Sequence, residues 1–327
     1  MSQYYLSTIL VYIFPIHKCG TSVLCVMNSR NIGRHLSNKL RDWANSIDDE
    51  RIKDILKKNV IITGGALVSL LTGEPVHDYD VYFRTKESCI AVAKYYVDKW
   101  NSLHPEKEVT LMWGELLIQC KGVDDGSVKC FVSSKGIADE SEDQTNHIAY
   151  NFESDESESK EQDQEEPRDK YRPRFITSNA ITLSNKIQIV TRFYGEVEEI
   201  HKNYDFAHCT CAWSSWDNNV FLPQKALECI INKELYYVGS KYPLCSIIRT
   251  RKYIERGYHI NAGQYVKMCM QLNELDLKDV RVLEEQLTGV DTTYFQMMVE
   301  ALQKNMEETG KTEIDTVYAM KLINKLF

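Results

Sequence analysis

Residues 60–84 hold the pattern that most constrains this chain, VIITGGALVSLLTGEPVHDYDVYFR. An apolar run ends at the glycine pair Gly64 and Gly65, and a short helical stretch follows it. Two aspartates, Asp78 and Asp80, then stand at the start of a second β-rich run. Because residues i and i+2 of a strand face the same side, we expect both carboxylates to point the same way.

Two adjacent carboxylates repel each other unless a cation lies between them, and hard oxygen ligands favour Mg²⁺ or Mn²⁺. Glycines allow backbone N–H groups and a helix N-terminus to approach a phosphate. The segment therefore predicts a phosphate-binding loop beside a metal site formed by Asp78 and Asp80, the two parts that nucleotidyl transfer needs. The alternative is an ordinary strand-turn-helix-turn-strand unit without chemistry.

This segment resembles the DNA polymerase β-like nucleotidyltransferase superfamily, and most of all the head of bacterial poly(A) polymerases and class II CCA-adding tRNA nucleotidyltransferases. Their pattern has Gly-Gly, a leucine pair, Gly, a Pro-containing turn and Asp-x-Asp. It is matched in register at Gly64, Gly65, Leu70, Leu71, Gly73, Pro75, Asp78 and Asp80. The resemblance implies that Gly64, Gly65 and Ser69 position a triphosphate, although Val68 and Ser69 replace the family's Arg-Asp.

Two later segments extend the resemblance. Residues 186–193 are similar to a family strand, with Gln188 at a position where that strand carries a carboxylate. Residues 204–209 are similar to the family's Arg-Asp-Phe-Thr-Ile-Asn segment, which makes Asp205 a candidate for a ribose contact or for a third catalytic carboxylate. The alternative for Asp205 is an exposed aspartate at the start of a strand.

Residues 243–260 are similar to a family helix and carry Arg249, Arg251 and Lys252 within one turn. The resemblance implies that these cations bind the triphosphate, and Arg251 falls on a matching family position. The alternative is a solvated helix face. The family's Glu-Asp-x-x-Arg element, which selects CTP and ATP, is not visible.

The charge of the chain is unevenly distributed. Its net charge is −8, yet residues 139–169 hold thirteen acidic and two basic residues, so the remainder is slightly positive. An RNA substrate is therefore compatible with the composition. The polar stretch at about 136–172 is too poor in apolar residues to form a core, and we expect it to be a disordered insertion.

Ten scattered cysteines indicate a reducing, cytoplasmic setting. The run His208-Cys209-x-Cys211 places two thiols on one predicted strand face, and we interpret them as buried cysteines in preference to a zinc site. The apolar run at residues 4–14 is too short to cross a bilayer, so no membrane partner is expected.

Hydrophobic periodicity predicts an α/β protein. We expect residues 1–32 to be an extension, residues 33–221 a polymerase β-like head with a mixed sheet and helices, and residues 222–327 a helical neck and body.

The function that these patterns favour is Mg²⁺-dependent (or Mn²⁺-dependent) transfer of a nucleoside monophosphate from an NTP to a hydroxyl, foremost an RNA 3′ end. Asp78, Asp80 and Asp205 are the catalytic candidates. One alternative is a protein or small-nucleotide acceptor. Another is an inactive head that binds RNA or protein. The nucleotide, the acceptor and the oligomeric state are left open.

Overall fold

The computed structural model describes residues 27–114, 126–131, 137–138, 170–286, 292–310 and 314–326. Its helices are α1 (Ser29–Asn45), α2 (Glu50–Asn59), α3 (Gly65–Thr72), α4 (Lys86–Leu103), α5 (Val197–His201), α6 (Gln224–Asn232), α7 (Pro243–Glu255), α8 (Ala262–Leu272), α9 (Val280–Gln286), α10 (Thr292–Thr309) and α11 (Thr316–Leu326). Its strands are β1 (Val60–Thr63), β2 (Tyr79–Phe83), β3 (Thr110–Met112), β4 (Lys129–Phe131), β5 (Ile137–Ala138), β6 (Pro173–Ile176), β7 (Ala180–Leu183), β8 (Ile187–Tyr194), β9 (Ala212–Ser214) and β10 (Val220–Phe221).

A mixed sheet of eight strands, in the order β10-β9-β1-β2-β8-β7-β6-β5, carries the fold. Within it β2 and β8 run parallel, and the other neighbouring strands run antiparallel. Strands β3 and β4 form a separate antiparallel pair. All four residues of β1 are buried, as expected for an apolar strand with neighbours on both sides. The glycine pair thus follows β1 and the acidic pair lies at the start of β2, its neighbour inside the sheet.

The alternation of side chains along these strands separates two apolar clusters. Val60 and Phe83 belong to the large core, which α1, α2 and α4 cover. Ile61 and Tyr82 belong to a smaller cluster on the opposite face, closed by Ile200 of α5. Because Asp80 is two residues from Tyr82, it lies on the face of the smaller cluster.

Buried aromatic side chains tie the helices together in the large core. Trp43 of α1 is fully buried, and its indole N–H donates a hydrogen bond of 2.6 Å to the Tyr96 hydroxyl of α4. The Tyr171 ring packs near Trp43, and its hydroxyl donates to Asp42 at 2.8 Å. Such side chains bury large apolar areas while their polar atoms still need partners.

The expected α/β class is confirmed, with a mixed sheet and helices followed by a helical segment. At the edges of the stretch that we expected to be disordered, about 136–172, Ile137 pairs with Ile176 and Tyr171 is buried, so these two edges belong to the folded protein. Residues 139–169 lie outside the described residues, as do residues 1–26, and the domain boundaries stay predictions. Across the ranges given above, every helix is too short or too polar to traverse a bilayer.

Candidate active site

The glycine pair lies where β1 meets α3. Thr63, the last residue of β1, is paired with Asp80 across the sheet. Gly64 has φ +83°, and a Cβ built there would lie 3.3 Å from Asp80 Oδ2 and 3.4 Å from the Tyr204 hydroxyl. A Cβ built on Gly65 would meet no heavy atom within 4 Å. The backbone at Gly64 therefore lies close to the Asp80 carboxylate, and Gly65 borders open space at the N-terminus of α3.

The acidic pair lies at the start of β2. Asp78 precedes the strand and is exposed, whereas Asp80 lies within it and is partly buried. The pKa of Asp80 is raised to about 7, first by burial and next by the charge of Asp78, and the charges of Lys252 and Arg249 oppose this increase. The cations of α7 therefore act on the same carboxylate that the glycine loop touches.

The three cations predicted to bind a triphosphate do not share one environment. Arg249 Nη1 lies 2.7 Å from Asp205 Oδ2. Arg251 is exposed and pairs along the helix with Glu255 at 3.1 Å. Lys252 is also exposed, but its charge reaches Asp80. The structure thus brings Arg249 and Lys252 towards the acidic pair and turns Arg251 to solvent, and a triphosphate contact of Arg251 stays a prediction.

Asp205 and Gln188 occupy different places around the site. Asp205 is 4% exposed, so its interpretation as an exposed aspartate at a strand start is wrong, and its carboxylate pairs with Arg249. Gln188 lies opposite Asp80 in the parallel register of β2 and β8. Because in-register neighbours share a face, the Gln188 amide is on the same face as Asp80. The ribose or metal role of Asp205 stays a prediction.

Ser69 lies within α3, one turn after the glycine pair, and is buried. Its carbonyl accepts a hydrogen bond of 2.9 Å from the Glu74 amide, beyond the left-handed cap at Gly73. This places Ser69 in the helix interior, whereas the first turn at Gly65 carries the orphan N–H groups that face a ligand. Its triphosphate contact remains a prediction.

Two groups behind the glycine loop were not singled out from the sequence. The Tyr204 hydroxyl, beside Gly64, donates to the Tyr82 hydroxyl at 3.3 Å, and burial raises the pKa of both tyrosines. Thr63 Oγ1 donates to a backbone carbonyl at 2.8 Å and lies 2.8 Å from His201 Nε2. Burial lowers the pKa of His201 to about 4, so a neutral imidazole donates to Thr63. No local motif could have indicated these partners.

The cysteine run does not form a strand as predicted. His208 and Cys209 belong to a 3₁₀ helix at Ala207–Cys209, because the chain turns there before β9. Cys209 and Cys211 are buried, and burial raises the pKa of each thiol to about 12. Both thiols are thus protonated at neutral pH, whereas zinc binds thiolates.

Asp78 and Asp80 supply two carboxylates of the hard oxygen type that Mg²⁺ prefers. Within the described ranges, no three His, Cys, Asp or Glu side chains are grouped as a metal cluster. However, Mg²⁺ is commonly held by one or two carboxylates together with substrate phosphates and water. Two carboxylates beside an open glycine turn fit an ion that arrives with a nucleotide.

Known structures that are similar to this one include those of CCA-adding enzymes. A complex of a CCA-adding enzyme with CTP matches at 11% identity and a TM-score of 0.38, covering 89% of this chain and 50% of that one. The CCA-adding enzyme of Thermotoga maritima complexed with tRNA matches at 10% identity and a TM-score of 0.35, covering 88% of this chain and 53% of that one. Likeness at this level carries no information about substrate.

Sequence comparison identifies a different kind of relative. The protein named Gabija anti-defense 2 of Bacillus phage SPbetaL7 is 20% identical over 282 residues, which cover 85% of this chain and 53% of the relative. The chain thus spans about half the length of the curated relative it matches. A model of the family described as "Gabija anti-defense 2 family protein" matches residues 34–233, from within α1 to just after α6, which include the glycine pair, the acidic pair and Asp205 but not the cations of α7. Since that match covers more than half of the chain, the protein belongs to the Gabija anti-defense 2 family.

Proposed function

We propose that this protein is a nucleotidyltransferase that moves a nucleoside monophosphate from an NTP to a hydroxyl, and that it uses this activity against a Gabija defence system. One observation carries the proposal. Asp80, beside Asp78, lies against the backbone of Gly64 and within the field of Arg249 and Lys252. This arrangement offers carboxylates for a metal and cations for phosphates in one place.

The acidic and the basic residues of the site have different roles in this proposal. Asp78 and Asp80 would hold Mg²⁺, which on binding supplies neutralisation of phosphate charge and activation of the attacking hydroxyl. Arg249 and Lys252 would bind phosphate oxygens, with Arg249 able to donate two parallel hydrogen bonds. The open space at Gly65 would admit a phosphate to the first turn of α3, where backbone N–H groups lack partners within the helix. The hydroxyl oxygen forms a bond to the α-phosphorus as the bond to pyrophosphate breaks.

The family name favours an acceptor that belongs to the defence system. The relative is named for opposing Gabija, and an enzyme with that task would alter a protein of the system or a nucleotide on which the system depends. The RNA 3′ end is the second candidate acceptor, and the match of the glycine and Asp-x-Asp motifs to CCA-adding enzymes favours it. An inactive binding head is disfavoured, because burial and the neighbouring charge of Asp78 raise the pKa of Asp80, an unfavourable arrangement that binding of RNA or protein does not require.

The acceptor can be identified by supplying the candidate classes separately. Purified protein would be incubated with Mg²⁺, each NTP labelled at the α-phosphate, and one of three acceptors: proteins of a Gabija system, free nucleotides, or total RNA. We expect label on the first or second class, and label on RNA alone would transfer the proposal to the second candidate. The variant Asp78→Asn/Asp80→Asn is the control for a contaminating enzyme. No label on any class, from a protein that binds NTP, would contradict nucleotidyl transfer.

A further inference from the structure

Asp205, which lies between α5 and β9, forms an ion pair with Arg249 of α7. Arg249 Nη1 lies 2.7 Å from Asp205 Oδ2, and the side chain of Asp205 is 6% exposed while that of Arg249 is 33% exposed. Two charges buried to this extent are expensive to desolvate unless their geometry is good. A pair whose carboxylate is nearly inaccessible and whose arginine side chain is 33% exposed suits a guanidinium that is held on one side by the carboxylate.

The backbone around Asp205 is fixed independently of this pair. The Asp205 carbonyl accepts a hydrogen bond of 2.9 Å from the Val238 amide. The next residue, Phe206, forms a β-bridge with Tyr237 and is fully buried. The backbone at Asp205 is thus rigid, whereas Arg249 has a long, flexible side chain that loses considerable rotamer freedom when it is ordered.

The charge of Arg249 acts on the acidic pair as well as on Asp205. The charges that act on Asp80 are those of Asp78, Lys252 and Arg249, whereas the carboxylate of Asp205 acts on Arg249 itself. Arg249 therefore interacts with two carboxylates of different kinds, with Asp205 as its hydrogen-bonded buried partner and with Asp80 through its charge.

We infer that Asp205 is a positioning residue, whose carboxylate orients the Arg249 guanidinium towards the triphosphate bound at Asp78 and Asp80. The inference rests on the proposed function, since it names the residue that prepares the same site. It differs from the two roles that the sequence suggested for Asp205, because Asp205 Oδ2 is already occupied by a guanidinium nitrogen at 2.7 Å.

Three probes separate these roles by direct binding without turnover. Affinity for ATP, dATP and inorganic tripolyphosphate is measured for the wild type and for Asp205→Asn, each with Mg²⁺. Positioning of Arg249 predicts an equal loss for all three probes, on the order of tenfold, because each loses the same charge-assisted contact. A loss restricted to ATP would identify a ribose contact, and an increased Mg²⁺ requirement would identify a metal ligand. Either result would overturn the inference.

A double-mutant cycle tests whether Asp205 acts through Arg249. We expect Arg249→Ala to weaken binding of the three probes at least as much as Asp205→Asn, and Asp205→Asn to add nothing on the Arg249→Ala background. Additive losses would contradict the inference. Asp205→Glu keeps the carboxylate and should retain more affinity than Asp205→Asn. If Asp205→Asn does not fold, Asp205→Glu takes its place in the comparison. Affinity equal to wild type in Asp205→Glu, together with strongly impaired binding in Arg249→Ala, would then support the pair.

The matched control is Asp42→Asn in α1. Asp42 also accepts a hydrogen bond, from Tyr171 at 2.8 Å, and pairs with Lys170 at 3.6 Å, but it lies apart from the acidic pair, so affinity should be unchanged. Failure of the wild type to bind any of the three probes would overturn the proposed function and the inference together. Wild-type binding with an unaffected Asp205→Asn variant would overturn the inference alone.

Discussion

Replacing Asp80 by Asn is expected to stabilise the metal-free protein while it removes the activity. The carboxylate is partly buried beside Asp78, and its pKa rises from 3.8 to about 7 on folding. A difference of about 3 pKa units corresponds to about 4 kcal/mol at ~1.4 kcal/mol per unit. Because Asp80 retains some contact with solvent and with the cations of α7, we expect about 2 kcal/mol, with the larger figure as an upper bound.

The sign of this effect sets its pH dependence. A carboxyl group whose pKa is raised by folding binds more protons in the native state than in the unfolded state. The wild type therefore loses stability as pH rises from about 4 to about 7 and stays at the lower level above that range. The Asn variant lacks this loss, so the difference in unfolding free energy should be small near pH 4 and largest at pH 8.

Urea unfolding in the presence of EDTA, followed by tryptophan fluorescence, measures this difference. Asp98→Asn, at an exposed carboxylate paired with Lys94 on α4, is the control and should change stability by less than about 0.5 kcal/mol. Added Mg²⁺ and NTP should stabilise the wild type by mass action more than they stabilise Asp80→Asn. A variant less stable than wild type at pH 8, or a difference that does not vary with pH, would refute the reasoning.

Four further variants test the loop, the core and α7. Gly65→Ala meets no atom within 4 Å, so it should fold normally and weaken ATP binding, whereas Gly64→Ala is strained at φ +83° and should lower the melting temperature. Unchanged ATP affinity in Gly65→Ala would exclude a phosphate at that turn. Tyr96→Phe leaves the Trp43 indole N–H without its buried partner and should cost ~1–3 kcal/mol in urea unfolding; a neutral effect would mean that water or another group replaces the hydroxyl. Arg251→Ala should reduce ATP affinity less than alanine at either of the other two cations of α7, because its guanidinium pairs outward along the helix, and a larger loss in titration would favour the role predicted from the sequence.

Local patterns predicted the parts of the site that are close in sequence. One helix and one turn separate Gly64 from Asp80 in the sequence, and this short connection brings β1 and β2 together as neighbouring strands. Strand β8 was predicted from its alternation, and its position beside β2 brings Gln188 level with Asp80. The period of the side chains is sufficient to predict that such segments form strands.

Contacts between distant segments could not be predicted in this way. His201 reaches Thr63 across 138 positions of the chain, and Arg249 reaches Asp205 across 44. The resemblance placed the α7 cations within one helical turn but did not show which of them faces the sheet. Tyr171 follows a polar stretch and is nevertheless buried, because one aromatic side chain can anchor a segment whose average composition is hydrophilic.

The fate of the α-phosphate tests the central claim most directly. The protein would be incubated with Mg²⁺ and NTP labelled either at the α-phosphate or at the γ-phosphate, together with the acceptor found in the screen proposed above. We expect the α-label to become covalently attached to the acceptor, the γ-label to appear in pyrophosphate, and Asp80→Asn to abolish both, with a loss on the order of a hundredfold or more. Transfer of the γ-label to the acceptor, release of free phosphate, or undiminished transfer by folded Asp80→Asn would contradict the account.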